Sequence, residues 1–388
     1  MKSKLSDICH YVKGKVDVSG LDNVTYISTE NMLPDKGGVT EAATLPNTAQ
    51  AQIYEHNDVL VSNIRPYFKK IWFANQDGGC SNDVLVFRAN EGVEPGFLYY
   101  VLADEKFFNY SMATSKGTKM PRGDKKTLME YEVPDFDIGT QRKVASLLGE
   151  IDEKIITNNE INKNLEQQLE LLYEDLSSRD SWPIVPIDNI AKKIAMGPFG
   201  SNIKVATFVE SGVPIISGNH LRGLFLEEPS FNYITERHAQ QLKNSIVYPR
   251  DIVFTHAGNI GQVAMIPEGC RYSCYILSQR QFYLRCDLLK AVPEYVLLFF
   301  HSIEGQHELL SYANQTGVPS IAQPASNLKK IELPLPPIEV QTEWLSTIQP
   351  IIDLYQNKRL ESSDLAALRD TLLPRLMSGE LDVSNLEL

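Results

Sequence analysis

A chain of 388 residues, 43% hydrophobic and 22% charged, has the composition of two or three folded domains and not of a disordered segment. Its formal net charge of -12 excludes a polyanion-binding surface spread over the whole molecule, so any contact with nucleic acid has to be local. Residues 295–300, the longest apolar run, are far too few to cross a bilayer, and no apolar signal core follows Lys2 and Lys4, so a cytoplasmic location is expected.

In chain order, residues 1–133 read as a mixed region. Short β-type runs bounded by Gly, Pro, Asn or Asp fall at residues 24–28, 59–62, 70–74 and 84–88, and a helix over 96–109 opens after Pro95. Arg65, Lys69 and Lys70, with Tyr67 among them, form one basic knot. A second follows, in which Ser115, Lys116, Gly117, Thr118, Lys119 and Arg122 combine cations, hydroxyls and a Gly-Thr turn, with Lys125 and Lys126 close behind and Asp124 the one acid. Lysines suit phosphates, and Arg122 can fork onto a guanine edge.

Residues 134–180 change character. Val144, Leu148, Ile151, Ile155, Asn158, Asn162, Leu165, Leu169, Leu172 and Leu176 alternate spacings of four and three, a heptad seam with two polar positions at its middle. A helix over 141–177 would be about 55 Å long at about 1.5 Å per residue.

Residues 181–333 resemble the first region in kind. β-type runs fall at 213–217, 251–255, 262–266 and 280–285, and a helix over 294–312 opens after Pro293. Gly197, Gly200, Ser201, Asn202 and Lys204 form a turn whose backbone N–H groups can approach a phosphate. Asn219, His220, Arg222, His256 and Asn259 are further polar candidates, as is His56 in the first half, although a structural role is the commoner one for a histidine. The loop Asn314, Gln315, Thr316, Gly317, Ser320 and Gln323 is uncharged, and its amides suit adenine edges. Residues 334–388 carry a second helix with its seam at Trp344, Ile348, Ile351, Tyr355, Lys358, Ser362, Leu365, Leu368, Leu372 and Leu376, and Pro374 is expected to bend or end it.

The two halves are one design used twice. Leu128, Glu132, Pro134, Ile138 and Gln141 recur 200 residues later as Leu328, Glu332, Pro334, Ile338 and Gln341. Upstream, residues 58–62 resemble 251–255, and Ile27-Ser28 resembles Ile216-Ser217. Matching segments are scaffold and differing segments are loops, which suggests two binding heads with different targets. The polar centres shared by the two long helices point to an antiparallel pair. The fold class expected is α+β: two α/β heads in internal tandem repeat, joined by two long antiparallel coiled-coil helices. The expected domains are 1–133, 134–180, 181–333 and 334–388. Acids gather on the helices, nine against five bases over 141–180 and six against two in the last 28 residues, which suits docking on protein partners.

Enzyme chemistry finds little support. Pro134-Asp135 followed by Asp152-Glu153-Lys154 fits a loose nuclease string, but Asp152 and Lys154 fall on a heptad helix and not on a sheet edge where two carboxylates could converge on Mg²⁺. No Asn-Pro-Pro-Tyr loop, GxGxxG or P-loop occurs. The five cysteines, Cys9, Cys80, Cys270, Cys274 and Cys286, lack zinc-like spacing, so no metal is expected.

Several motifs resemble the specificity (S) subunits of Type I restriction–modification enzymes, the HsdS family. They are RDTLLPRLMSGEL at 369–381, LPLPPIEVQ at 333–341, MGPFGSNIK at 196–204 and THAGNIGQVAMIPE at 255–268. The first half departs from the pattern: VPDFDIGTQ at 133–141 lacks the double proline, and residues 62–67 replace the glycine-rich turn. The resemblance implies a non-catalytic subunit in which each target-recognition domain reads half of a bipartite site in double-stranded DNA. The helix pair sets the spacer and holds two methyltransferase subunits, and two nuclease–translocase subunits can join. S-adenosylmethionine, ATP and Mg²⁺ are then expected on the partners and no cofactor on this chain. The other reading of the residues is a coiled-coil scaffold with two peptide- or RNA-binding heads, although the basic loop Lys116–Lys126 disfavours a purely protein role.

Overall fold

The computed structural model describes residues 2–115, 121–179, 181–228, 230–314 and 317–383. By its contacts the chain divides into two units, Met1–Thr157 with Glu361–Leu388, and Asn158–Leu360. Both cuts fall inside the long helices Ile138–Ser178 and Ile338–Met377, so each unit holds one head and part of each helix.

In the first unit the strand Lys2–Lys4 pairs with Glu132–Pro134 and closes the head at its base. An antiparallel sheet follows in the order Cys9–Tyr11, Val84–Ala89, Val59–Ser62, Ile71–Phe73. The two central strands, Val59–Ser62 and Val84–Ala89, are buried on both faces, which explains their apolar runs. Val59, Val61, Leu85 and Phe87 face a core shared with the helices, while Leu60, Val84 and Val86 face a second core with Tyr54 and Cys80. The second sheet runs Lys15–Asp17, Gln50–Tyr54, Gly78–Cys80, Tyr26–Ile27, and its last pair is parallel.

The second unit repeats this plan. Ile184–Pro186 pairs with Glu332–Pro334. The main sheet runs Ala191–Met196, Gln281–Cys286, Ile252–Thr255, Val263–Met265, with Ile252 and Phe254 in one core and Val253 in the other. The smaller sheet shares three strands with its counterpart: Val213–Ile216, Tyr275–Leu277 and Ile246–Val247 match Tyr26–Ile27, Gly78–Cys80 and Gln50–Tyr54 in order and direction. The fourth strand differs. Lys15–Asp17 joins one edge of the first trio, and Tyr233–Ile234 joins the other edge of the second.

Duplicated side-chain clamps mark the repeat. Arg88 grips Asp58 through Nε at 2.7 Å and Nη2 at 2.8 Å, and Arg285 grips Asp251 at 2.7 and 2.6 Å. Gln141 takes the Glu94 N–H and donates to the Phe136 carbonyl; Gln341 takes the Val292 N–H and donates to the Pro336 carbonyl.

All eight expected β runs form strands, but each expected shorter helix is two. Pro95–Ala103 is followed by Glu105–Ala113, and Pro293–His301 by Ile303–Leu310. Asp104 and Ser302 break the run with extended backbone, and each side chain caps the second helix by accepting from the N–H of Lys106 or Gly305.

Along the long helices Val144, Leu148, Ile151, Leu165, Leu169, Leu176, Trp344, Ile348, Tyr355 and Leu376 are buried, as are Asn158 and Asn162. Ile155, Leu172, Ile351, Leu365 and Leu372 are half-buried. Leu368 does not hold its seam position: it is 48% exposed, and Arg369 turns inward instead. Pro374 does not end the helix, which runs on to Met377 with the proline in its last turn. In the first unit Arg369 meets Asp152 at 2.7 Å and Lys154 lies 3.8 Å from Glu361. In the second, Trp344 Nε1 donates to the Leu172 carbonyl and Tyr355 Oη to Glu166. Rising numbers on one helix meet falling numbers on the other, so the pair is antiparallel. Among the described residues no helix is long and apolar enough to cross a membrane.

Candidate nucleic-acid interface

In the first unit the main-sheet strand Val59–Ser62 runs out into Asn63, Ile64 and Arg65. Arg65 takes a left-handed conformation, φ +51°, and its N–H donates to the Pro121 carbonyl at 2.9 Å, while Ile64 bridges to Arg122. The Asn63 N–H donates to the Asp83 carbonyl at 2.8 Å. Arg65 of the first basic knot and Arg122 of the second, far apart in sequence, thus lie side by side. Tyr67 and Phe68 project from the following turn with rings 4.6 Å apart. Not every cation is free: Lys69 pairs with Glu105 at 2.7 Å, Lys70 donates to the Thr29 carbonyl, and Arg122 meets Asp83 at 3.0 Å. Ser115 Oγ is spent on the Met112 carbonyl. Lys116, Gly117, Thr118 and Lys119 lie outside the described residues.

The second unit builds the same corner with other side chains. His256, Ala257 and Gly258 leave the strand Ile252–Thr255; the Gly258 N–H donates to the Pro319 carbonyl at 2.9 Å, Ala257 bridges to Ser320, and the His256 N–H donates to the Arg280 carbonyl at 2.9 Å. Gly258 stands where Arg65 stands and is also left-handed, φ +91°. Asn259, Gly317 and Gln323 are exposed nearby in sequence, and His256 and Ser320 are half-buried. Gln315 and Thr316 lie outside the described residues. A pocket of about 260 Å³ opens beside the corner, lined by Ile203, Phe208, Ser217, Ser278, Gln279 and Arg280 among others.

Two candidates change role. His220 is 5% exposed, its Nδ1 accepting from the Ser217 N–H and its Nε2 bonded to the Ser230 carbonyl. Asn31 does the same in the first unit, equally buried, accepting from the Ser28 N–H at 2.6 Å. His220 therefore secures a turn and does not face a ligand. Gly197 donates its N–H to the Gln281 carbonyl, and a Cβ there would lie 1.9 Å from the Ser278 carbonyl oxygen, so this glycine permits a close strand approach and does not cradle an anion.

The others are more scattered. Gly200 and the exposed Asn202 and Lys204 lie on a turn beside Phe199, which is 77% exposed; the Ser201 side chain is outside the description. Exposed Asn219 follows Gly218, which sits against Gln262 and Gln281 at the same corner. Arg222 is exposed but precedes Gly223, which packs near Tyr355 and Glu166 of the long helices. His56 lies at the opposite end of its strand from Asn63. Sequence reasoning missed the turns Ser81, Asn82, Asp83 and Ser278, Gln279, Arg280. They occupy matching places, since the Ser81 N–H donates to Ile27 and the Ser278 N–H to Ile216. Their common Ser–amide–charge pattern, 197 residues apart, was the available signal.

The duplicated halves have counterparts among known proteins. Residues 1–167 and 182–362 each match the family described as Type I restriction modification DNA specificity domain. The chain belongs to this family. It is similar to two proteins of Methanocaldococcus jannaschii. The Type I restriction enzyme MjaIX specificity subunit is 24% identical over 325 residues, 76% of this chain and 71% of that one. The MjaVIII specificity subunit is 23% identical over an alignment of 416 residues, 99% of this chain and 93% of that one. The solved Type-I restriction-modification S subunit from M. genitalium shares the fold, with a TM-score of 0.54 at 15% identity over 99% of this chain and 96% of that chain.

In this specificity-domain chain the nuclease-like string serves the helix pair. Asp152 accepts from Tyr100 Oη and Arg369 Nη1, both at 2.7 Å, and Lys154 faces Glu361. Asp152 thus ties the head of the first unit to both helices, and Lys154 links helix to helix.

Proposed function

We propose that this DNA specificity subunit of a Type I restriction–modification system reads a bipartite site, one half with each recognition domain. The helix pair sets the gap and docks two methyltransferase subunits, with nuclease–translocase subunits able to join. The observation that carries this reading is the corner built twice on one backbone plan with different exposed side chains: cations in the first domain, chiefly uncharged groups in the second. Equal backbones with unequal side chains are what two readers of unequal half-sites need. With a net charge of -12, partners supply part of the phosphate neutralisation. The chain itself catalyses nothing in this reading; S-adenosylmethionine, ATP and Mg²⁺ belong to the partners, and the complex works in the cytoplasm. Co-expression with its methyltransferase subunits, followed by methylation sequencing of the host genome, is the test. One two-part motif that appears only with this chain is expected. Methylation without a motif, or one indifferent to this chain, would overturn the reading.

A further inference from the structure

The turn between the smaller and the main sheet occupies the same place in both domains, and its exposed side chains follow a pattern. It joins Gly78–Cys80 to Val84–Ala89 in the first domain and Tyr275–Leu277 to Gln281–Cys286 in the second. Its backbone is pinned from three sides in each. The serine N–H reaches the parallel neighbour strand, at 2.9 Å for Ser81 and 2.8 Å for Ser278. The serine carbonyl closes the turn by accepting from Val84 at 3.0 Å or Gln281 at 3.3 Å. The third residue's carbonyl accepts from Asn63 or His256 of the corner described above. A turn so fixed presents its middle side chain in a set direction without loop ordering on binding.

That middle residue is Asn82 in one domain and Gln279 in the other, both exposed, and neither side-chain amide has a hydrogen-bond partner among the described residues. A carboxamide offers one acceptor and one donor, the pair that matches adenine N6 and N7 in the major groove. The neighbouring charge is inverted between the domains. Asp83 holds the Arg122 guanidinium at 3.0 Å, whereas Arg280 is itself the cation and Ser320 stands where Arg122 stood. Each turn therefore carries one free amide beside one guanidinium, delivered by two different routes.

We propose that Asn82 and Gln279 are the matched specificity-determining side chains of the two domains, each reading an adenine in its own half-site. Beside them stand Arg280 in the second domain and the Arg122–Asp83 ion pair in the first. The assignment rests on the bipartite-reading proposal above and deepens it. The test uses the chain co-expressed with its methyltransferase subunits, with Asn82→Ala and Gln279→Ala made separately, and methylation sequencing as the first readout. Asn82→Ala relaxes one A·T position in one half of the motif and leaves the other half intact; Gln279→Ala does the reverse. On duplex oligonucleotides changed at that pair, the assembled complex loses a discrimination of roughly five- to hundred-fold, the range for one bidentate base contact. Asn82→Gln and Gln279→Asn keep the amide and retain a preference for A·T, which a merely structural role would not predict. An unchanged motif in both alanine variants overturns the assignment while leaving the bipartite reading standing. So does a variant that assembles but degrades both halves equally. A wild-type complex with no two-part motif brings down the underlying reading instead.

Discussion

Arg285→Met should destabilise the second unit by an amount that grows with pH. The Asp251 carboxylate is 1% exposed and is held by Arg285 Nε and Nη2 at 2.7 and 2.6 Å and by the Tyr248 N–H at 2.8 Å. Burial raises the Asp251 carboxyl above the ordinary aspartate range even against the opposing bonds of Arg285. Methionine keeps part of the aliphatic stem but removes the counter-charge, together with the guanidinium's place over the Tyr248 and Tyr283 rings. Breaking a buried pair by removing one partner costs about 3–5 kcal/mol, or roughly 6–20 °C in Tm for a unit of this size. The orphaned carboxyl escapes by taking up a proton, so its folded-state pKa rises further above the unfolded value near 3.9. Stability gained that way is complete below the unfolded pKa and is lost as pH rises through the folded one. The deficit is therefore smaller at pH 5 than at pH 8. Denaturant unfolding followed through buried Trp344 measures it, and adding Asp251→Asn should recover most of the loss. A cost below about 1 kcal/mol, or a deficit flat between pH 5 and 8, would refute the reasoning. Arg88→Met, which removes the two bonds to buried Asp58, should likewise destabilise the first unit.

Arg359 donates from both terminal nitrogens to the Phe225 and Leu226 carbonyls at 3.2 and 3.1 Å, tying the second head to its helix. Arg359→Met should keep both half-site sequences but admit spacers one base pair longer or shorter, as read by methylation sequencing; an unchanged spacer would count against this tie. Burial lowers the His301 pKa, and Nε2 bonds the Val263 carbonyl, so the neutral ring's stabilisation holds above pH about 6.5 and is lost as pH falls through the lowered value. The fall in Tm between pH 7 and 5 should be smaller in His301→Gln than in the parent chain. Asp152→Ala with Lys154→Ala should lower stability by roughly 2–3 kcal/mol, through loss of the Tyr100 and Arg369 bonds, yet leave methylation and cleavage by the assembled complex intact. Loss of cleavage in an assembled complex would revive the nuclease reading.

The long helices were legible because a heptad is a local pattern that burial must satisfy along its whole length. The repeat was legible because Gln141 and Gln341, or Asp58 and Asp251, do identical structural work and so stay identical. Short closing strands escaped notice: Lys2–Lys4 has no apolar alternation and is a strand only because Glu132–Pro134 lies beside it. The helix breaks at Asp104 and Ser302 escaped notice because a capping side chain competes with helix continuation only by its local bonds. The corner that joins Arg65 to Pro121 and Gly258 to Pro319 depends on long-range pairing that spacing does not reveal. For His220 the structural role named as the commoner one is what its burial and its bonds to Ser217 and Ser230 show; a surface histidine and a turn-capping one look alike in sequence.

The measurement that tests the central claim most directly is the methylated motif after exchange of one recognition domain. Residues 181–327 are replaced by the corresponding segment of a related specificity subunit that reads a different site, and the assembled complex is expressed in a host for methylation sequencing. Two independent readers on one helix pair predict a hybrid motif: the half read by the first domain unchanged, the other half that of the donor, and the spacer kept. A motif altered in both halves, or in neither, in an assembled and active complex would contradict the account.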